Sequence, residues 1–177
     1  MKKAISILLI FITFLIIYFL QANFFTWFTI AGIEPNIFIV LVLFISLYTG
    51  MKVGIGSAVI FGAFLDIVIG KSLGPYILGL GLIAFLGGYF EKNFSKDSRI
   101  TIMLMVMGST CVYEIVAYIF NFINLSTHIE IMEFIKILLI EVVYNTIITI
   151  ILYPLIQKAG YTLEGIFKES KILTRYF

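Results

Sequence analysis

The chain has 177 residues, of which 62% are hydrophobic and only 12% are charged, and its net charge is +2. A soluble domain carries about 25% charged residues, and a small one cannot bury this much apolar surface because much of its area stays exposed. The composition therefore indicates an all-α integral membrane protein, argues against soluble enzymes and secreted disulfide scaffolds, and gives no reason to expect a nucleic-acid partner.

Six apolar segments predict six transmembrane helices within a single membrane domain that covers residues 1–177. The first, residues 4–20, lacks a small-x-small cleavage pattern at its end, so we interpret it as an uncleaved helix rather than a signal peptide. The other predicted spans are residues 35–49, 53–70, 74–90, 100–124 and 134–156. After them, residues 160–177 predict a basic amphipathic tail that lies on the cytoplasmic lipid surface or anchors the end of the bundle.

The basic residues indicate which way these spans run. With six spans and a cytoplasmic N-terminus, ten of the 12 lysines and arginines lie on the inner side, and only Lys71 and Lys136 lie outside. This distribution obeys the positive-inside rule, whereas five spans would place the basic C-terminal residues outside. We therefore predict a multi-pass protein with both termini in the cytoplasm.

Small residues recur at multiples of four positions in the third predicted span and at spacings of three and four in the fourth. Rows of this kind let a second helix backbone approach closely. Either the two spans pack against each other as a hairpin, or one of the faces receives a helix of a partner protein, and the spacing does not separate these interpretations. The rows consist of Gly54, Ala58, Gly62 and Gly70 in the third span, and of Gly81, Ala84 and Gly88 in the fourth.

Carboxyl groups inside predicted spans are costly, so they are expected to face protein, a partner or water. Asp66 lies near the outer end of the third span, where it is expected to cap nearby backbone, to meet Lys71 or to have a functional role. Glu114 and Glu141 lie deeper, in polar stripes that are predicted to face each other across antiparallel helices. These stripes also contain Tyr118 and Asn121 in the fifth span and Asn145 in the sixth.

Together with Asp66, these stripes predict a polar cluster that opens outward. Three interpretations of it remain open: a hydrogen-bonded network that joins the spans, a contact site for another membrane protein, or a site for a small molecule or a proton. Hydrolytic chemistry is not indicated, because the chain lacks HExxH and GxSxG motifs and its only histidine, His128, is predicted to lie in a loop. The single cysteine, Cys111, has no partner at metal-ligand spacing, so neither a metal site nor a cofactor is expected.

Three stretches of the sequence occur in an order that is typical of one family. They are Pro35-Asn36 at the start of the second span, GSAVIFGAFLDIVIGKSLG at residues 56–74, and LGGYFEK at residues 86–92. The most specific part is Leu65-Asp66 followed by Leu73-Gly74. In these motifs, and in length and number of spans, the chain resembles the bacterial rod shape-determining protein MreD family, although the later polar spans match loosely.

That resemblance implies a non-enzymatic scaffold of the elongasome, the machinery of lateral peptidoglycan synthesis, located in the bacterial cytoplasmic (inner) membrane. The implied partners are an MreC-like bitopic membrane protein and, through it, the MreB filament, RodA and a transpeptidase, together with membrane lipids. The implied role is to maintain rod cell shape. The implied fold is similar to the six-helix substrate-binding subunits of energy-coupling-factor vitamin transporters.

That fold also supplies an alternative function, the substrate-binding subunit of such a transporter. These subunits usually carry small residues at spacing four in their first helix, where they meet the transport module. Residues 4–20 are almost wholly bulky, and beyond Ala4 only Ser6 and Thr13 are small or polar. The sequence therefore favours the scaffold over the transporter subunit.

Overall fold

The computed structural model describes residues 2–69, 73–125 and 130–168, and this part of the chain is helical with no β-strand. The predicted all-α class is therefore confirmed. The helices are α1 (Lys2–Asn23), α2 (Ile37–Thr49), α3 (Met51–Val68), α4 (Pro75–Asn93), α5 (Arg99–Leu125) and α6 (Ile131–Lys168), with a short 3-10 turn at Phe25–Trp27. We call the end of the bundle where residues 24–36 join α1 to α2 the loop end, and the other the opposite end.

Among the described residues, four helices are long and apolar enough to cross a membrane, namely α1, α3, α5 and α6. The 13 residues of α2 rise only about 20 Å, less than the hydrocarbon core of roughly 30 Å. The last seven residues of α4 include four polar or charged side chains, and glycines lower the hydropathy of the rest of the helix. Helix length and composition therefore support four of the six predicted spans.

The short helix α2 lies at the centre of the bundle. Twelve of its 13 residues are buried, and it packs against α3, α4, α5 and α6. A helix that is surrounded on all sides is expected to be apolar on every face, and α2 has this composition. Because its neighbours separate it from the lipid, its length does not need to match the thickness of the bilayer.

By contrast, α1 lies at the edge of the bundle. Its buried residues are Ser6, Ile10 and Phe14, which recur every four positions and so form one narrow face. The Phe14 ring stacks on Phe61 of α3 with 4.1 Å between ring centroids, and it meets Phe64 edge-on at 5.5 Å. Aromatic packing therefore attaches α1 to α3, while most of its apolar side chains remain exposed.

The last helix is longer than the sequence predicts. The expected span ends at residue 156, but α6 continues through Pro154 and Gly160 to Lys168. Glycine at position 160 allows the helix to pass close to α2, because a Cβ atom there would overlap the ring of Tyr48. Leu163 packs against the hydrophobic core, so this part of the predicted tail contacts the bundle. The basic residues Lys171 and Arg175 lie outside the described residues.

Candidate functional site

Asp66 is buried near the end of α3 and caps the start of α4. Its Oδ2 accepts hydrogen bonds from the backbone N–H groups of Gly74 (2.9 Å) and Ile77 (3.2 Å), and its Oδ1 accepts one from Tyr76 (3.0 Å). The first N–H groups of a helix lack partners within the helix, and Gly74 has no side chain that could cap α4. The Asp66 carboxylate takes this role and also complements the positive end of the helix dipole. Lys71, the other expected partner, lies outside the described residues.

The row of small residues on α3 is filled by the chain's own helices. A Cβ atom at Gly62 would lie 2.6 Å from the Cα of Ile77 on α4, and one at Gly54 would overlap Ser46 on α2. Ala58, between them, is fully buried. This face therefore packs α2 and α4 within the chain and leaves no space for a partner helix. Gly70, the last residue of the predicted row, lies outside the described residues.

The predicted row on α4 packs within the chain at two of its three positions. Ala84 is fully buried, and a Cβ atom at Gly88 would lie 2.8 Å from the Cα of Met51. A Cβ atom at Gly81, however, would meet no atom within 4 Å, so Gly81 makes no close contact within the described chain, and a partner helix at this position stays a prediction. Successive residues of a helix lie about 100° apart around its axis. Gly81 therefore lies at the edge of the face on which Leu80 is buried.

Sequence reasoning missed Gly87, which makes the close contact between α4 and α2. A Cβ atom at Gly87 would lie 2.8 Å from the carbonyl oxygen of Leu43. Nearby, the buried Ser46 hydroxyl donates a hydrogen bond to the carbonyl oxygen of Ala84. The small side chain of Ser46 thus faces both Gly54 and Gly87, and three helices meet around it. Gly87 and Gly88 are neighbours in the sequence. Only the position of α2 in the bundle shows that Gly87 contacts α2, whereas Gly88 contacts Met51 on α3.

Asn145 joins three helices in the polar interior. It is fully buried, its Oδ1 accepts a hydrogen bond from the backbone N–H of Asn36 (2.8 Å), and its Nδ2 donates one to Thr110 Oγ1 (3.1 Å). Asn36 precedes α2, Thr110 lies on α5, and Asn145 lies on α6. The predicted stripes on α5 and α6 therefore face each other, and they also hold the start of α2.

The two glutamates of these stripes lie one turn further toward the loop end. The carboxyl groups of Glu114 and Glu141 lie close enough to interact across the α5–α6 contact. Glu141 is only 6% exposed, and its Oε1 has no hydrogen-bond partner among the residues that the structure describes. Tyr118 packs its ring against Phe134 at 4.6 Å between centroids.

Further along the same face of α5, Asn121 is half-buried. Asp66 is not part of this network, because its oxygen atoms are bonded to the start of α4. The stripes therefore supply two converging carboxyl groups rather than the three that the sequence suggests.

The loop between α1 and α2 is fixed across this polar region. Gln21 at the end of α1 donates from Nε2 to the carbonyl oxygen of Pro35 (2.5 Å) and accepts at Oε1 from the N–H of Ile37 (3.3 Å). The Tyr144 hydroxyl on α6 donates to the carbonyl oxygen of Phe28. Sequence reasoning missed Gln21, since its partners lie in a loop of no regular periodicity.

A cavity of about 380 Å³ lies beneath this loop, between α1, α2, α4 and α6. Its lining contains the carboxyl groups of Glu34 and Glu141 and the aromatic rings of Tyr18, Phe38 and Tyr76. No group of three histidine, cysteine, aspartate or glutamate side chains that could hold a metal ion occurs within residues 2–69, 73–125 and 130–168.

The sequence matches the family of the rod shape-determining protein MreD over residues 1–159. The chain belongs to the MreD family. The resemblance seen in the sequence motifs is thus confirmed, and membership implies a role in determining rod shape. MreD is a structural membrane protein that is not known as an enzyme. Comparison with curated proteins and with solved structures gives no match.

At the opposite end of this MreD-family protein, ion pairs hold the extension of α6. Lys168 Nζ lies 2.9 Å from Glu91 Oε1 on α4 and 3.2 Å from Glu164 Oε1 on α6 itself. Lys96, in the turn between α4 and α5, also pairs with Glu164. Sequence reasoning missed this cluster because its members are far apart along the chain. It fixes the last turns of α6, although the family match ends at residue 159.

Proposed function

We propose that this MreD-family protein is a non-catalytic membrane scaffold that helps organise lateral peptidoglycan synthesis and thereby maintains rod cell shape. The observation that carries the proposal is the family match over residues 1–159. Scaffolding requires a bundle with a defined shape, and the polar groups inside this bundle are largely used to hold helices in place. Asp66 caps α4 and Asn145 joins α2, α5 and α6.

We further propose that all six helices cross the bacterial cytoplasmic membrane and that both termini lie in the cytoplasm. The central position of α2 supports this arrangement, since a helix enclosed by its neighbours crosses without contacting lipid along its length. The charge distribution supports it as well. Lys92, Lys96, Arg99 and Lys168 occupy the opposite end of the bundle, which the positive-inside rule assigns to the cytoplasm.

The partners that we propose are an MreC-like bitopic membrane protein and, through it, the MreB filament, RodA and a transpeptidase. The test is affinity purification from native membranes in mild detergent, followed by identification of the co-purifying proteins by mass spectrometry. We expect an MreC-like protein and cell-wall synthases. Recovery of paired ATPases with a large membrane coupling subunit, and no cell-wall protein, would contradict the scaffold and indicate a transporter subunit.

A second measurement links the scaffold to cell shape. Cells depleted of this protein are expected to become round, and expression of the unaltered chain is expected to restore rods. Glu133→Gln serves as a control, because Glu133 is exposed in the first turn of α6 and should restore rods equally well. Rod shape that persists after complete depletion would contradict the proposed role.

A further inference from the structure

The cavity at the loop end has a lining that is unusual for the interior of a membrane protein. It contains two carboxyl groups, Glu34 and Glu141, and no lysine, arginine or histidine among its described lining residues. Exposed residues Ala22 and Thr26 also line it, so the cavity reaches the molecular surface. Two carboxyl groups with no basic neighbour among these described residues favour a positively charged occupant.

Two acceptor atoms at this site lack partners. Glu141 Oε1 and Asn36 Oδ1 are buried and accept no hydrogen bond from any described residue. Glu141 itself is only 6% exposed. A buried acceptor without a donor is unfavourable, and both atoms belong to residues that line the same cavity. A ligand that supplies N–H donors would remove this cost.

The remaining walls of the cavity are aromatic. Tyr18, Phe38 and Tyr76 all contribute to its lining. Aromatic faces attract organic cations through their quadrupoles, and the attraction increases when water is excluded. The volume of about 380 Å³ is at the lower end of the range for small-molecule sites, roughly 300–1,000 Å³. Carboxyl groups combined with aromatic walls distinguish an organic ammonium from a hydrated metal ion.

We propose that this cavity binds an organic ammonium group, whose N–H groups donate to Glu141 and Asn36 and whose carbon atoms lie against the aromatic walls. The ammonium belongs to a soluble amine or to the ethanolamine headgroup of a lipid, since both present the same chemistry. This inference goes beyond the scaffold function and does not depend on it.

The test uses the full chain in nanodiscs of phosphatidylglycerol, with ethanolamine as the probe. Saturation-transfer NMR, corrected with empty nanodiscs, measures its binding, and neutral ethylene glycol of similar size is the matched ligand. We expect ethanolamine to bind with a dissociation constant of about 1 mM and ethylene glycol to bind at least about 10-fold more weakly. Equal signals from the two probes would overturn the proposal.

Variants of the chain locate the site. Glu141→Gln should weaken ethanolamine binding about 10-fold, whereas Glu133→Gln, on the exposed side of the same helix, should leave it unchanged. If Glu141→Gln fails to fold, two variants at the opening of the cavity replace it. Glu34→Gln removes a carboxylate there, and Ala22→Phe narrows the entrance. Unchanged binding in both variants would place the amine elsewhere and overturn the proposal.

Nanodiscs that contain phosphatidylethanolamine distinguish the two sources of the ammonium. If the ligand is a lipid headgroup, these lipids should abolish the ethanolamine signal of the unaltered chain, because they occupy the cavity first. If the ligand is a soluble amine, the signal should be the same in both lipid compositions. Either result supports an ammonium site.

Discussion

Asn145 on α6 holds the backbone of Asn36 at the start of α2, with 2.8 Å between the side-chain oxygen and the amide nitrogen. The same side chain donates to Thr110 on α5. One residue thus fixes the position at which the central helix begins and the contact between the two longest helices. The cavity beneath the loop lies next to these hydrogen bonds, since Asn36 donates one of them and also lines the cavity.

Replacement of Asn145 by leucine should therefore destabilise the bundle. Leucine has a similar size but makes neither hydrogen bond, and it leaves the Asn36 N–H and the Thr110 hydroxyl without their partner. We expect a loss of about 1–3 kcal/mol in the free energy of unfolding, measured by denaturant unfolding in detergent. The control is Asn93→Leu, because exposed Asn93 bonds to Tyr89 in its own helix and to no other helix in the part of the chain that the structure describes. Equal stability of the two variants would contradict the role of Asn145.

Substitutions of Asp66 should produce a graded effect. Alanine removes all three hydrogen bonds to the start of α4, and we expect it to cost about 2–3 kcal/mol of unfolding free energy, since bonds to charged groups are the stronger ones. Asparagine keeps one acceptor oxygen but loses the charge and at least one bond, so its cost should be intermediate. Hydrogen exchange of the Tyr76 and Ile77 amides should accelerate in the same order. Alanine and asparagine variants with the same stability would argue against capping.

Gly62 and Gly56 provide a matched pair on α3. A leucine at Gly62 would begin with a Cβ atom 2.6 Å from the Cα of Ile77, whereas one at Gly56 would meet no atom within 4 Å. Because backbone must move at Gly62, we expect Gly62→Leu to lower the yield of folded monomer severalfold on size-exclusion chromatography. Gly56→Leu should remain at the level of the unaltered chain. The packing explanation fails if the two variants behave alike.

Cysteine labelling tests the proposed membrane topology. In a Cys111→Ala background, Trp27→Cys should react with a membrane-impermeant maleimide in intact cells, because Trp27 is 86% exposed in the loop between α1 and α2. Asn93→Cys, exposed at the opposite end, should react only after permeabilisation. Labelling of both positions from the same side would contradict the six-span arrangement.

The sequence predicted those features that depend on local spacing. Apolar segments predicted the order of the helices, and a carboxylate near a helix end predicted the capping role of Asp66 among its alternatives. It missed the close contact at Gly87, because a row of small residues shows that a helix can be approached but not from which direction. That direction depends on the position of α2, which cannot be deduced from the residues of α4.

Contacts between distant parts of the chain also escaped prediction. Lys168 pairs with Glu91, which lies 77 positions earlier in the chain, and nothing in the sequence around either residue indicates the other. The length of α6 was underestimated for a related reason. Hydropathy falls after residue 156, but packing of Gly160 against Tyr48 and these ion pairs keep the chain helical.

The unbroken course of α6 has a mechanical consequence. Its 38 residues extend about 57 Å at 1.5 Å per residue, nearly twice the thickness of the hydrocarbon core. A helix of this length must tilt in the bilayer or project from it. When the tilt changes, its two ends move in opposite directions. Glu141 and Lys168 both lie on α6, so a change of tilt caused by local thinning of the membrane would displace the wall of the cavity and the ion pairs together.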